Sequence, residues 1–139
     1  MDPATGKKKP AHRNVSLVHE LFELQKIKTP DGLAVIFGDK RLTYSQLSQK
    51  ADELASAIYS ASPGSLIAGV STHRSIETIV SVLAILKSGK AYMPLDPEYP
   101  QERLQQIVSD SGIDLFLAVS AQKQLFEPLG INVLASDKA

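Results

Sequence analysis

The 139-residue chain contains no cysteine. That absence removes disulfide staples, thiolate nucleophiles and thiolate metal sites together, and it fits a reducing compartment. Nor is there an excess of charge of either sign, because 15 Lys and Arg balance 15 Asp and Glu. A neutral chain offers no field to gather nucleic acid or an anionic membrane, and neither is expected as a partner. No apolar run approaches the roughly 20 residues needed to cross a bilayer. The charged amino-terminal stretch lacks the apolar core of a secretory signal. The expected location is the cytoplasm. The three histidines, His12, His19 and His73, are scattered without the spacing of a zinc site.

What is present is an ordinary globular composition, with 43% hydrophobic residues, long enough for one domain with a core. Residues 1–14 are polar and carry Lys7-Lys8-Lys9; such a stretch buries no apolar face and is expected to be a solvated, disordered tail. Residues 15–139 are expected to form the folded unit. Ser16 is placed to cap a helix to about Lys28, with Leu17, Val18, Leu21, Phe22 and Gln25 on one face. Thr29-Pro30-Asp31-Gly32 ends it. Leu33 to Phe37 and Arg41 to Thr43 read as a small hairpin turning at Gly38-Asp39. Thr43 and Gln46 then form a capping box, Leu42 and Leu47 a hydrophobic staple. A helix to about Tyr59 follows, its stripe being Tyr44, Leu47, Ala51, Leu54, Ala55 and Ile58.

Beyond the Ser62-Pro63-Gly64 loop the pattern alternates. Strands are expected at Leu66 to Val70, Ala91 to Met93, Leu115 to Val119 and Asn132 to Leu134. Helices are expected at Ile76 to Lys87, Pro100 to Ser111 and about Ala121 to Phe126. Gly89 sits where a left-handed helix cap belongs, and Gly112 caps the helix before it. Pro94 and Pro97, unable to donate a ladder hydrogen bond, are expected to stop the strand at Met93. The fold class is therefore α/β: a mostly parallel sheet flanked by helices, with an N-terminal helix and a small β-hairpin. Fully apolar strands such as 115–119 suit a sheet covered on both faces.

Few residues invite a chemical reading. Gly89-Lys90 fails as a phosphate loop, since Ala84 stands where a glycine is needed, Ala91 offers no hydroxyl, and the turn follows a helix when it should precede one. His73 lies between a strand and a helix, among Ser71, Thr72, Arg74 and Ser75, at a strand end where open parallel sheets bind ligands. Ser75 is simply a good helix cap there, Arg74 a surface or ion-pairing residue, and a Ser71–His73 pair lacks an orienting carboxylate. Asp96 and Glu98 share a loop and have the chemistry for a hard cation. Their flanking prolines favour a rigid connector, with Asp96 capping a turn. Tyr92 and Tyr99 read as core or half-buried packing residues.

Two stretches carry a family resemblance. Leu42-Thr43-Tyr44-Ser45-Gln46-Leu47 is similar to the first core motif of the adenylation domains of nonribosomal peptide synthetases. The stretch Leu86-Lys87-Ser88-Gly89-Lys90-Ala91-Tyr92-Met93-Pro94-Leu95-Asp96, continued by Pro97-Glu98-Tyr99-Pro100, resembles the second. These domains belong to the adenylate-forming (AMP-binding) superfamily, with acyl-CoA synthetases and luciferases. The resemblance runs from about Val15 to about Ser120. Ser88 and Lys90 depart from the family's preference, at what is expected to be an exposed turn.

The resemblance implies the N-terminal portion of a domain that activates an amino acid with Mg-ATP, releases pyrophosphate and passes the acyl group to a phosphopantetheine carrier. The family's phosphate loop, ribose-binding aspartate, amino-acid pocket and C-terminal lysine have no counterpart before Ala139. No catalytic, cofactor-binding or metal residue is therefore carried over, and no cofactor is expected on this portion alone. The implied partners are the remainder of the domain and a carrier domain, with self-association through exposed apolar faces. Two alternatives remain: a non-catalytic binding or regulatory module on the same scaffold, or a portion of an acyl-CoA ligase.

Overall fold

A computed structural model describes residues 18–64, 66–72 and 74–137. The expected tail over 1–14, the cap at Ser16, His12 and His73 lie outside the described residues. The chain runs α1 (Val18–Lys28), β1 (Leu33–Phe37), β2 (Lys40–Thr43), α2 (Tyr44–Ala61), β3 (Ile67–Ser71), α3 (Ile76–Lys87), β4 (Ala91–Leu95), α4 (Gln101–Ser111), β5 (Leu115–Ala118), α5 (Lys123–Phe126) and β6 (Asn132–Ala135). Single 3-10 turns flank α5 at Ser120–Gln122 and Glu127–Leu129.

β1 and β2 form an antiparallel hairpin, and the other four strands form an all-parallel sheet in the order β4-β3-β5-β6. Residues alternate across that sheet. Ala68, Val70, Leu115 and Leu117 join a buried cluster with Leu47, Ala51, Leu54 and Ile58 of α2 and Val80, Leu83, Ala84 and Ile85 of α3. Leu95, Phe116, Ala118 and Val133 join Leu104 and Val108 of α4, Ile113, and Phe126 of α5 on the opposite face. Helices thus cover both faces, which is why β5 is apolar throughout and fully buried.

The local signals are met where they are local. Thr43 Oγ1 accepts from Gln46 N (3.1 Å) while Gln46 Oε1 accepts from Thr43 N (2.9 Å), closing the capping box at the start of α2. Leu42 and Leu47 are both buried in the α2–α3 cluster. After α3, Gly89 takes φ +85°. Lys90 N donates to Ile85 O and Gly89 N to Leu86 O, the paired bonds of a Schellman cap.

Four expectations are corrected. β4 does not stop at Met93 but continues through Pro94 to Leu95. Ala91 N donates to Leu66 O and Leu95 O accepts from Thr72 N. The odd-numbered residues therefore address β3, and Tyr92 and Pro94 address the open edge of the sheet, where a missing N–H breaks no ladder bond. Tyr92 and Tyr99 are not core residues: both are exposed, Tyr92 on that edge and Tyr99 under the Arg103 guanidinium, 5.3 Å from its ring. Lys90 is buried, 6% exposed, with Nζ donating to Ser62 O at 2.6 Å and so closing the C-terminal end of α2. Finally, α1 buries none of its residues; Val18 and Leu21 face solvent, and Phe22 alone among its apolar side chains packs on the core cluster.

Charge holds α1 in place. Lys87 Nζ, at the end of α3, pairs with Glu23 of α1 (2.7 Å) and Asp52 of α2 (2.6 Å) and lies 5.6 Å from the centre of the Phe22 ring. Lys26 pairs with Glu23 at 2.8 Å. Hydrogen bonds from Lys26 and then Lys87 hold Glu23 below its ordinary pKa of 4.5, against the opposing effect of burial. Burial works against the charge on Lys87, but the hydrogen bonds to Asp52 and Glu23 outweigh it and raise its pKa above the ordinary 10.5.

Lys87→Met is expected to cost about 1 kcal/mol, modest because the carboxylates remain in contact with water. Glu23, with its pKa lowered, contributes fully above pH 4.5 and loses its contribution as the pH falls through its folded value. Lys87, with its pKa raised, contributes fully below pH 10.5 and loses its contribution as the pH climbs through its folded value. The stability gap between wild type and Lys87→Met, read by urea titration, should be flat between those limits and narrow outside them. A gap that widens on acidification would contradict the assignment.

Candidate functional site

In an open parallel sheet, the place for a ligand is the crevice beyond the carboxyl ends of the strands, where the chain reverses its direction of travel across the sheet. Here the chain leaves β3 toward β4 on one side, and leaves β5 toward β6 on the other. The crevice therefore lies between the ends of β3 and β5, beside Ser71, Thr72, Arg74 and Ser75 on one flank and Ser120 and Gln122 on the other.

One hydrogen bond crosses this crevice, and others tie down its two flanks. Ser71, 3% exposed, donates through Oγ to Gln122 Oε1 at 2.9 Å. Thr72 N donates to Leu95 O at 3.0 Å. Ser75 caps α3 by accepting from Thr78 N at 3.3 Å, and Thr78 Oγ1 donates to Ser71 O at 3.4 Å. On the far flank, Asp137 Oδ1 accepts from both Ser120 N (2.9 Å) and Ser120 Oγ (2.8 Å), fastening the loop after β6 to the loop after β5. Ser71 thus faces an amide oxygen, which accepts a hydrogen bond but cannot act as a general base. Its suggested partner His73 lies outside the described residues. Arg74 is exposed.

The other candidates resolve into structural roles. Asp96 Oδ1 accepts from Glu98 N at 2.9 Å, an Asx turn at the exit of β4. Gly89-Lys90 is a helix terminus leading into a strand, with the ammonium turned to the Ser62 carbonyl. Among the described residues no group of three His, Asp or Glu is placed to hold a metal ion.

Two cavities open near the same end of the sheet. One, about 80 Å³, lies between Lys50 and Glu53 of α2, Ile76 and Glu77 of α3, and Asp137. That is room for a few waters, well short of the roughly 300 Å³ at which small-molecule sites begin. The other, about 320 Å³, is a groove between Ile36 and Phe37 of the hairpin and Arg74, Ser75 and Ile79 at the start of α3. Among the described residues its lining is mostly apolar, with Thr72, Ser75 and Thr78 beside the Arg74 cation.

Sequence reasoning missed the Lys87 centre and the burial of Lys90. The basic residue in the last turn of α3 was visible, but its partners lie 64 and 35 positions away in the chain, and no spacing rule reaches that far.

The architecture is that of a helix-covered parallel sheet entered through a hairpin and a capped helix. Residues 22–138 match the family model described as AMP-binding enzyme, and the chain belongs to that family. It is 48% identical over 102 residues to bacitracin synthase 1 of Bacillus licheniformis, covering 73% of this chain and 2% of that protein. It is 40% identical over 116 residues to tyrocidine synthase 1 of Brevibacillus parabrevis, covering 83% of this chain and 11% of that one. Among solved structures, the nonribosomal peptide synthetase FmoA3, crystallised with α-methyl-L-serine-AMP, superposes with a TM-score of 0.79 at 30% identity, covering 88% of this chain and 14% of that one. The chain therefore spans only a small part of the proteins it matches. The relatives bear out the resemblance to nonribosomal peptide synthetase adenylation domains, of which these residues form an N-terminal part. No helix among the described residues is long and apolar enough to cross a membrane.

Proposed function

We propose that these residues serve as the scaffold half of an amino-acid adenylation domain and that the reacting groups are supplied by polypeptide outside them. In the complete domain, an amino-acid carboxylate oxygen attacks the α-phosphorus of Mg-ATP. The bond to the β-phosphate breaks, pyrophosphate leaves, and a carrier thiolate then displaces AMP from the acyl carbon. Such chemistry needs donors and cations aimed at the α-phosphate. None of the described side chains is assigned a catalytic, nucleotide-binding or metal-binding role in it. Residues 15–139 act here as one unit, and its partners are the rest of the domain and a carrier domain.

The single observation carrying this reading is the family match over residues 22–138 in a segment whose candidate polar groups are already engaged in holding the fold. The test is ATP–pyrophosphate exchange after mixing this chain with separately produced downstream polypeptide of a close relative's adenylation domain. Amino-acid-dependent exchange should arise in the mixture. Tight binding to a carrier or synthetase domain with no exchange in any mixture would favour a non-catalytic module on the same scaffold.

A further inference from the structure

Helix α1 is attached to the fold differently from the two helices beneath it. α2 and α3 bury five and six residues, whereas α1 buries none. Its apolar hold is the half-buried Phe22, which packs on the core cluster with its ring centre 5.6 Å from that of Tyr44. Charge supplies a second hold. Glu23 reaches Lys87 of α3 at 2.7 Å, and Lys26 Nζ donates to Ser48 Oγ of α2 at 3.4 Å.

The body beneath does not need α1 to stay closed. Lys87 also holds Asp52 (2.6 Å) and Ser48 (3.2 Å), both on α2, so α2 and α3 remain joined without Glu23. None of the buried members of their shared cluster belongs to α1. The chain is fastened again just past the helix. Pro30 O accepts from Ser45 N and Gly32 O from Tyr44 N, each at 3.0 Å, which pins the turn to the start of α2. Movement of α1 therefore pivots at Thr29 and goes no further. With 11 residues, α1 is shorter than the roughly 12–15 at which an isolated helix is even marginally stable in water, so α1 off the body unwinds.

We infer that α1, whatever the function of the complete protein, is an ion-latched strap. It leaves the α2–α3 surface as a unit while the body stays folded, and ionic strength sets how often. Elements with few buried contacts open in this way well below the free energy of global unfolding. Glu23 and Lys26 remain in contact with water, so added salt screens the latch. The Phe22 contact is apolar and is not screened.

The test is hydrogen exchange read by mass spectrometry on the full chain at about pH 7, with rates taken relative to an unstructured chain in the same salt. Raising sodium chloride from 0.1 M to 1 M shortens the Debye length from about 10 Å to about 3 Å. At the lower salt the amides of residues 22–28 should be protected, but less than those of α2, α3 and β3. At the higher salt they should exchange about two- to fivefold faster, with α2, α3 and β3 unchanged. In Glu23→Gln they should exchange fast at both salts, again with the body unchanged. Protection of α1 that salt leaves alone or strengthens would show that Phe22 sets the opening and would overturn the inference. So would α1 amides that exchange only together with the body, α1 amides unprotected at either salt, or a Glu23→Gln chain whose α1 is as protected as in wild type.

Discussion

Phe116→Ala is expected to cost about 3–5 kcal/mol, the range for emptying a buried aromatic site. Phe116 is fully buried on β5 and packs against Phe126 with ring centroids 4.1 Å apart at 33°. It stands where α4, α5 and the sheet meet, among Leu104, Val108 and Ile113. The hole left by its ring would have walls fixed by three separate elements, so collapse should recover little of the loss. A domain of this size has about 5–15 kcal/mol of stability in all. The variant should melt at a much lower urea concentration, with near-ultraviolet signals weakened before the helical signal is lost. A loss below about 1 kcal/mol would show that this face of the sheet is not a packed core.

The second large effect is the opposite insult at the same place. Gly69 sits mid-way along β3 and is buried. A Cβ there would lie 2.5 Å from Phe116 Cδ1 and 2.9 Å from Ile113 Cδ1. The glycine is required by close approach and not by backbone conformation, and the ring it meets is held from behind by Phe126. Gly69→Val is expected to destabilise by about 3 kcal/mol or more, at the upper end for overpacking. Gly69→Ala should be milder and, unlike Gly69→Val, rescuable. In a Phe116→Leu background the added methyl has somewhere to go, so the double variant should be more stable than the sum of the two losses predicts. Additive losses in urea titration would mean that the two positions do not contact as described.

Both positions were partly legible in the sequence. The apolar run 115–119 announces a strand covered on both faces, and its neighbours in sequence supply the helices that cover it. Which face Phe116 takes, and that Gly69 lies beneath it, depend on the register of β3 against β5, where Gly69 stands opposite Phe116. That register is set by packing, with no local signal. The hairpin and the start of α2 were readable because the capping box needs two residues three apart. Pro94 misled because the cost of a proline in a strand depends on which way its nitrogen points, and that is fixed by the neighbouring strand. Lys90 misled because a turn residue is ordinarily solvated. Its long stem lets the ammonium reach the Ser62 carbonyl, while Ser62 Oγ donates to Asp114. The inward face of α1 was misjudged because its partners are distant in the chain: Lys87 pairs with Glu23, Phe22 packs on the core cluster, and helical periodicity reports neither.

The candidate site was legible mainly as motifs. The two core motifs located the family, and the structure gives each a mechanical task. The first fixes the angle at which α2 leaves the hairpin. The second closes α3, lays down the edge strand β4 and turns the chain through Asp96 toward α4. The hydroxyls and carboxylates near the strand ends fasten loops to one another.

Amino-acid-dependent formation of aminoacyl-AMP by the purified chain alone, at high protein concentration and with Mg-ATP, is the most direct measurement of that division of labour. The expected result is no adenylate above background with any amino acid. Adenylate formed by the unassisted chain, and abolished by substitution of any polar residue at the β3–β5 crevice, would contradict it.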